Sequence, residues 1–546
     1  MTDVLGRAVE PPAKAPNVQF RESGETVLDV EAYVEDFNAS VVGAYRRGVA
    51  DAEFPADPGL GRSIVPPGTA ATRDFSGLAP TIPTFIAERC VGCMACVSAC
   101  PDSALIATVQ PRSTLEPATD ASPSATLPGH FAETDKYSTV PVRKGLEPAA
   151  FGLFVEPLHC KGCAECVEVC AALGHDALIM VDKSAPAEGG RTQLEAAEED
   201  IRFLRTLPPT PAEYRNEKAL ADLMLGEHAF GYVGGAGSCA GCGEASAIRM
   251  LVAATRQVHG PDSMGIVAAT GCNTVFGSTY PFNPYLVPWT NSLFENAPAV
   301  ALGIRGRWDQ AGHADRRLWV LGGDGAMYDI GFQSLSRVVA SGADVKVLVL
   351  DGQVYSNTGG QASTASFGGQ ITKLSAFGRA LHGRPERRKE LARILIAHGD
   401  VYVAQTTPAH LNHFYRAVME ANAYPGPAVV VVYTPCQPEH GIADDASTRQ
   451  AKLAVDSRAF PLFTYDPRRG ASLAERLSLQ GNPALREDWT TRPDGSPVDF
   501  LAFARSEGRF AAHFDADGSP TPEILETQAD RLANWHWLQE LAGIHP

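Results

Sequence analysis

The stretch LWVLGGDGAMYDIGFQSLSRVVASGADVKVLVLDGQVYSNTGGQ, Leu318 to Gln361, sets the architecture of the largest part of this chain. An apolar run ends in Gly323-Asp324-Gly325. A helical pattern follows from about Tyr328, and a second apolar run ends at Asp351 before a turn rich in Gly, Ser and Asn. Strand, glycine turn, helix and strand form the repeating unit of a parallel sheet. Glycine lets the backbone come close to a phosphate. A helix N-terminus turns N–H groups toward it. A carboxylate at the strand end, Asp324, can hold Mg2+ between two phosphate oxygens. Gly-Asp-Gly alone is also an ordinary strand-to-helix turn. The run Val354-Tyr355-Ser356-Asn357-Thr358-Gly359-Gly360 follows about 30 residues on as a second glycine-containing turn.

Outward from this stretch, short apolar runs alternate with helical patterns between about 225 and 465: GIVAATG, RRLWVLGG, DVKVLVLDG, GDVYVAQT and PAVVVVYTP. That alternation predicts an α/β fold, a doubly wound parallel sheet with helices on both faces. Four regions follow. Residues 1–80 read as a Pro-broken arm or linker with one helix, LDVEAYVEDFNASVVGAYRRGV. Residues 81–200 hold two cysteine runs and, between them, a polar insertion, QPRSTLEPATDASPSATLPGHF, too poor in apolar residues for a core. Residues 201–465 form the sheet domain. Residues 466–546 end in an amphipathic helix, EILETQADRLANWHWLQELAGI, expected to pack on the domain or a partner.

Twelve cysteines are present. Cys90, Cys93, Cys96 and Cys100 are spaced C-x2-C-x2-C-x3-C, and Cys160, Cys163, Cys166 and Cys170 repeat the spacing. This doubled run is the signature of a two-cluster bacterial-type ferredoxin, in which the fourth thiolate of each run crosses to the other 4Fe–4S cube. Cys90, Cys93, Cys96 and Cys170 are therefore assigned to one cluster, and Cys160, Cys163, Cys166 and Cys100 to the other. The second run has Ala171 where such runs usually have proline. A pair of zinc sites is the competing reading, but no histidine stands at ligand spacing. Cys239, Cys242, Cys272 and Cys436 remain. Taken singly, Cys272 and Cys436 read as packing residues at strand ends. Together the four make the thiolate set of a third cubane.

Formal net charge is −17 and the sequence pI is about 5.3, which disfavours nucleic acid as a partner. No apolar stretch follows Met1 as a secretory signal does, and no run reaches bilayer length, so the expectation is a cytoplasmic chain that does not span a membrane.

The motifs VPPGTAATRDFSGLAPTIP, CAGCGE, ATGCNTVFGSTYP, NSLFEN, GGDGAMYDIG, VYSNTGGQ and FPLFTYDPR together resemble the C-terminal half of pyruvate:ferredoxin oxidoreductase, of the 2-oxoacid:ferredoxin oxidoreductase family, from about residue 65 to about 470. The resemblance implies thiamine diphosphate, Mg2+ and three 4Fe–4S clusters. It implies oxidative decarboxylation of a 2-oxoacid with coenzyme A as acyl acceptor and ferredoxin or flavodoxin as electron acceptor. Cys239, Cys242, Cys272 and Cys436 then hold the cluster nearest the cofactor, and Glu244 and Cys272 line the thiamine. Gly323, Asp324, Gly325 and Ala326, with Gly352, Gln353, Val354, Tyr355, Ser356 and Asn357, wrap the diphosphate and metal. Asp324 gives the metal a side-chain oxygen, Val354 a backbone carbonyl, and Asn357 lies near the reacting carbon. Without the resemblance Asn357 reads as a turn residue. Gly352 stands where the family places a metal-ligating Thr or Asn, so water or a shifted Asp351 or Gln353 must complete the coordination.

The resemblance further implies a catalytic glutamate on a separate pyrimidine-binding domain. Only about 80 residues precede the clusters, too few for such a domain. A separate partner subunit is therefore expected, in a dimer of heterodimers. Pyruvate, 2-oxoglutarate and indolepyruvate or another aryl oxoacid all remain open as substrates. From other classes, a polyferredoxin-type carrier has no use for the Gly-Asp-Gly loop, and a non-redox thiamine decarboxylase has no use for twelve cluster-forming cysteines.

Overall fold

The structure is a computed structural model that describes residues 18–20, 26–28, 30–53, 65–120, 127–216, 218–226, 231–234 and 237–544. In the cysteine-rich region, strands β1 (Thr81–Phe85), β2 (Leu105–Pro111), β3 (Phe131–Ala132), β4 (Ala149–Val155) and β5 (Leu178–Asp182) accompany helices α1 (Ala95–Ala99) and α2 (Glu165–Ala172). β1 pairs antiparallel with β5, and β2 with β4. The two strand–loop–helix–strand repeats are thereby interlocked, which brings the end of each cysteine run toward the start of the other.

The insertion is more structured than its composition suggests. Arg112–Asp120 is helical despite Pro117, and Leu115 and Leu127 are buried. Leu127 packs with Phe154, Ile201 and Phe203 in a small cluster, so two well-placed leucines suffice to pin a polar segment.

The large domain carries strands β6 (Met264–Ala269), β7 (Trp289–Ser292), β8 (Arg317–Gly323), β9 (Lys346–Asp351), β10 (Tyr402–Thr406), β11 (Ala428–Tyr433), β12 (Phe463–Tyr465) and β13 (Leu477–Ser478). Their order is β13-β12-β10-β11-β9-β8-β6-β7. The six from β10 to β7 are parallel, and β12 and β13 add antiparallel strands at one edge. β6, β9, β10 and β11 are buried throughout, as expected for strands covered on both faces.

Alternate residues serve opposite faces. Ile266, Leu321, Leu348, Val430 and Val432 meet helices α3 (Gly243–His259) and α6 (Leu411–Ala423). Val267, Val320, Val347, Val349 and Val431 meet helices α4 (Ala297–Gln310) and α5 (Phe332–Ser341). The second core also takes in Phe500, Phe503 and Phe510, and Trp535 and Leu538 of helix α7 (Pro522–Leu541). The sheet thus runs past residue 465, and the C-terminal segment completes its core.

Near the N-terminus Val30–Phe37 and Gly43–Arg46 are helical, joined by one wider turn. Tyr33, Phe37, Val41 and Val42 pack with Tyr280 and Phe282 of the large domain. The Pro-rich stretch before residue 18 and residues 54–64 lie outside the described residues.

Candidate functional site

β6 and β8 are neighbours, but the chain leaves β6 toward β7 and leaves β8 in the other direction, toward β9. The strand order reverses here, and open α/β sheets bind ligands outside the C-terminal ends of such strands. A cavity of about 270 Å³ opens at this point. Thr270, Gly271 and Cys272 line it after β6, Gly323 to Ala326 after β8, and Val354 to Thr358 after β9, with Glu244, Phe294 and Ile330. A turn of wide helix, Gly325–Ile330, replaces the regular helix start expected near Tyr328; α5 follows from Phe332. An added Cβ on Gly325 would meet the Tyr355 ring at 2.8 Å, so the close approach of these two loops requires glycine.

Beside it lies a second cavity of about 130 Å³, lined by Cys239, Cys242, Cys272 and Cys436 together with Ser238, Glu244, Ser356, Asn357 and Pro435. Glu244, Cys272, Ser356 and Asn357 belong to both walls. Two smaller cavities sit in the cysteine-rich domain. One is lined by Cys90, Cys93, Cys96 and Cys170, the other by Cys100, Cys160, Cys163 and Cys166. The structure thus brings the twelve cysteines together in three sets of four, and all are free thiols. Among the described residues no three His, Cys, Asp or Glu side chains are grouped so as to hold a metal ion. A cubane, with four irons, bridges thiols that stand wider apart than the ligands of one ion.

The first C-x2-C turn of each ferredoxin-type run, and the Cys239–Cys242 turn, has glycine before its second cysteine. Gly92, Gly162 and Gly241 have φ of +68°, +67° and +71°, a conformation that glycine adopts without strain. Backbone N–H groups point at the sulfurs: Gly92 donates to Cys90, Ala104 to Cys100 and Ala177 to Cys170, each at 3.3 Å. Burial pushes the Cys90 and Cys436 thiols up to about 11 and Cys160 up to about 12, with neighbouring thiols adding to the shift. Such thiols stay protonated until iron binds, and coordination then releases their protons to solvent.

Glu244 Oε2 is buried and finds no hydrogen-bond partner among the described residues. Burial raises its carboxyl to about 7. A carboxyl oriented into a cavity with nothing to bond marks the place of a polar group, as the aminopyrimidine or diphosphate end of thiamine diphosphate would provide. Asp324, also buried, is pushed well up by burial and then by the charge of Asp351, while the Ser363 hydroxyl donates to it. A divalent cation would offset that charge. The donor set therefore fits a diphosphate with Mg2+, which Asp324 and the Val354 carbonyl would hold; the described contact of that carbonyl is the Ser356 hydroxyl at 3.3 Å.

The substitutes anticipated for the missing side chain at Gly352 are occupied elsewhere. Asp351 is paired with buried Arg388 and accepts from the Tyr328 hydroxyl at 2.6 Å. Gln353 Oε1 accepts from Arg509 Nη2 at 2.7 Å. The Gly352 carbonyl accepts from His440 Nε2 at 2.8 Å. The oxygen at Asp324 is the hydroxyl of Ser363, which the sequence reading passed over; a serine in a polar turn carries no signal of its own. His440 was passed over as well. Its Nδ1 accepts from the Cys436 N–H at 3.3 Å, so one neutral imidazole ties the diphosphate loop to the loop of Cys436.

The site is that of a thiamine-diphosphate-binding domain fused to a 4Fe–4S domain. Residues 269–432 match the C-terminal TPP binding domain of thiamine pyrophosphate enzymes, and residues 83–106 match a 4Fe-4S binding domain. The chain is 30% identical to a probable pyruvate-flavodoxin oxidoreductase of Escherichia coli K12, over 93% of its own length and 45% of the relative's. It is 30% identical to pyruvate:ferredoxin oxidoreductase of Moorella thermoacetica, over 82% of this chain and 41% of that one. It is 28% identical to pyruvate-flavodoxin oxidoreductase of Rhodospirillum rubrum, over 88% and 43%. This chain is therefore a relative of the pyruvate-flavodoxin and pyruvate:ferredoxin oxidoreductases, and it spans less than half the length of the curated relatives it matches. No helix among the described residues is long and apolar enough to cross a membrane.

Proposed function

We propose that this chain is the cofactor-binding and electron-relaying part of a 2-oxoacid:ferredoxin oxidoreductase. In the reaction, pyruvate and coenzyme A give acetyl-CoA, CO2 and a proton, and two electrons pass singly to ferredoxin or flavodoxin. The observation that carries the reading is the wall shared by the Asp324 cavity and the four-cysteine cavity. A non-redox decarboxylase has no need of that adjacency, and an electron carrier has no need of the first cavity. Pyruvate is favoured over 2-oxoglutarate or an aryl oxoacid because the relatives named above are named for pyruvate.

Bound thiamine diphosphate would supply the electron sink for decarboxylation. The chain's own residues would hold the cofactor and lead electrons away from it. Asp324 and the Val354 carbonyl would hold Mg2+, which would offset the charge of the diphosphate. Glu244 receives the polar end of the cofactor. Asn357, exposed at the mouth, donates to the substrate end of the site. Cys272 stands between cofactor and cluster. Cys239, Cys242, Cys272 and Cys436 would hold the cluster nearest the cofactor, Cys100, Cys160, Cys163 and Cys166 the next, and Cys90, Cys93, Cys96 and Cys170 the outermost, where Cys93 is exposed; bound clusters would supply single-electron relays in that order. The docking of the cysteine-rich domain supports this order. Arg249 of α3 donates to the Ser103 hydroxyl at 2.8 Å, and Glu165 of α2 accepts from the Ser447 and Thr448 N–H groups at 3.1 and 2.6 Å.

Ile330, in the wall of the cofactor cavity, is 62% exposed, and Val275, in the wall of the adjoining four-cysteine cavity, is exposed as well. We assign this face to a pyrimidine-binding domain that carries the catalytic glutamate, on a partner polypeptide in a dimer of heterodimers. The relatives, each more than twice as long as the stretch they share with this chain, give no support to a separate subunit over a longer polypeptide. The test is anaerobic assay of the isolated chain, loaded with clusters, Mg2+ and thiamine diphosphate, against a panel of 2-oxoacids with CoA and a viologen dye. Cofactor binding without turnover is expected, and turnover only with the partner. Turnover by the isolated chain would remove the partner; reduction by no 2-oxoacid even with it would remove the reaction.

A further inference from the structure

Lys161 lies between two cluster-facing cysteines, Cys160 and Cys163, yet its side chain is buried, 4% exposed. Its Nζ donates to Asp102 Oδ1 at 2.7 Å, to the Ser238 carbonyl at 2.7 Å and to the Ser238 hydroxyl at 3.0 Å. Among the described residues, Asp102 and Ser238 thus supply acceptors to the N–H bonds of one ammonium group. Asp102 lies two residues after Cys100, in the same cavity wall as Cys160, Cys163 and Cys166. Ser238 directly precedes Cys239, in the wall of the cavity that adjoins the cofactor site. One side chain therefore links the loops of two different cysteine sets. The surfaces also meet closely here: a Cβ on Gly234 would fall 2.0 Å from the Asp102 carbonyl, and the Phe75 ring lies 4.9 Å from the Lys161 nitrogen.

We propose that Lys161 and Asp102 form a buried ionic brace between two adjacent clusters, so that Lys161 positions and tunes the electron hop from the cofactor-side cluster to the next. The inference rests on the cluster placement proposed above. In that hop the cofactor-side cluster loses one electron and the cluster of Cys100, Cys160, Cys163 and Cys166 gains it. Each reduced cluster carries one more negative charge. A fixed cation in a low-dielectric setting favours the reduced form, and a fixed anion opposes it. A buried ion pair is weak ground for a role in stability, since an apolar pair of similar volume often serves as well. The placement of this pair between two redox centres gives it a charge-dependent task.

The experiment is a potentiometric titration of the full-length chain, reconstituted anaerobically with iron and sulfide and followed by electron paramagnetic resonance. Lys161→Met is expected to disfavour reduction of the two flanking clusters about tenfold, close to 59 mV for a one-electron couple. The cluster of Cys90, Cys93, Cys96 and Cys170 keeps its potential, and Lys161→Arg keeps all three. Asp102→Asn is expected to move the same two clusters the opposite way, and it decides the matter if Lys161→Met fails to hold iron. All potentials unmoved in both variants, or all three moved together, would overturn the brace. A wild-type chain with only two clusters would instead overturn the placement on which the inference rests.

Discussion

In the cysteine-rich domain, three of the four thiols facing each cavity come from one short segment, and the fourth comes from the end of the other repeat. The segment's own glycine and N–H groups set its shape. The diphosphate loop after β9 is held differently. Gln353 has φ of +58°, and its side chain bonds to Arg509, 156 residues on. Its carbonyl takes the Ser366 hydroxyl and the Gln370 amide, while the Gly352 carbonyl takes His440. The first kind of site is written in spacing and survives change elsewhere in the chain. The second depends on segments far apart in the chain, and a substitution at a distance reaches it.

The largest expected effect separates the two. Asp324→Ala is expected to abolish measurable thiamine diphosphate binding by calorimetry while iron and sulfide content stay at wild-type levels. The diphosphate then loses the one carboxylate placed to hold its cation. Loss of the ferredoxin clusters in this variant would show that the two sites are not independent.

Cys272→Ser is next. It stands in both cavity walls, so it is expected to remove about four of about 12 irons per chain and to weaken thiamine diphosphate binding, with the ferredoxin-type signals retained. Full iron content would take Cys272 out of the ligand set.

Arg509→Met sharpens the contrast from a distance. Arg509 pairs with buried Glu507, 2.5 Å away, and the Tyr433 hydroxyl bonds the same carboxylate at 3.0 Å. Leaving that charge unpaired is expected to cost roughly 3–5 kcal/mol of stability by denaturant titration. Thiamine diphosphate affinity is expected to fall about tenfold, near 1.4 kcal/mol, as Gln353 loses its anchor. Unchanged affinity would mean that the loop holds itself.

The smallest expected effect is at His440. His440→Gln keeps one hydrogen bond to Gly352 or Cys436 but not both, and should raise the Mg2+ concentration needed for half-saturation a few-fold at constant iron content. Burial, with Arg509 nearby, holds this imidazole neutral well below the usual histidine range, so the effect should not vary between pH 6 and 8.

The same contrast explains what could be read from the sequence. All five apolar runs of the large domain are strands, because a strand buried on both faces reads as an unbroken apolar run. The edge strand Trp289–Ser292 was missed; its sequence, WTNS, is polar and half exposed, and only pairing with β6 makes it a strand. Phe500, Phe503 and Phe510 gave no sign that they join the core of a sheet ending before residue 480. In the cofactor site, Gly323 to Ala326 were legible as a glycine turn between strand and helix, and Val354 to Asn357 only through the resemblance their motif carries. Ser363, His440 and Lys161 were not, since their roles depend on partners 39, 88 and 77 residues away.

The central claim is that a cubane adjoins the thiamine diphosphate cavity on this same chain. Iron and acid-labile sulfide, counted on anaerobically purified full-length protein, test it most directly. The account predicts about 12 of each per chain, three cubanes on twelve thiolates. About eight of each, with the Cys239, Cys242, Cys272 and Cys436 thiols all free to alkylate, would contradict it.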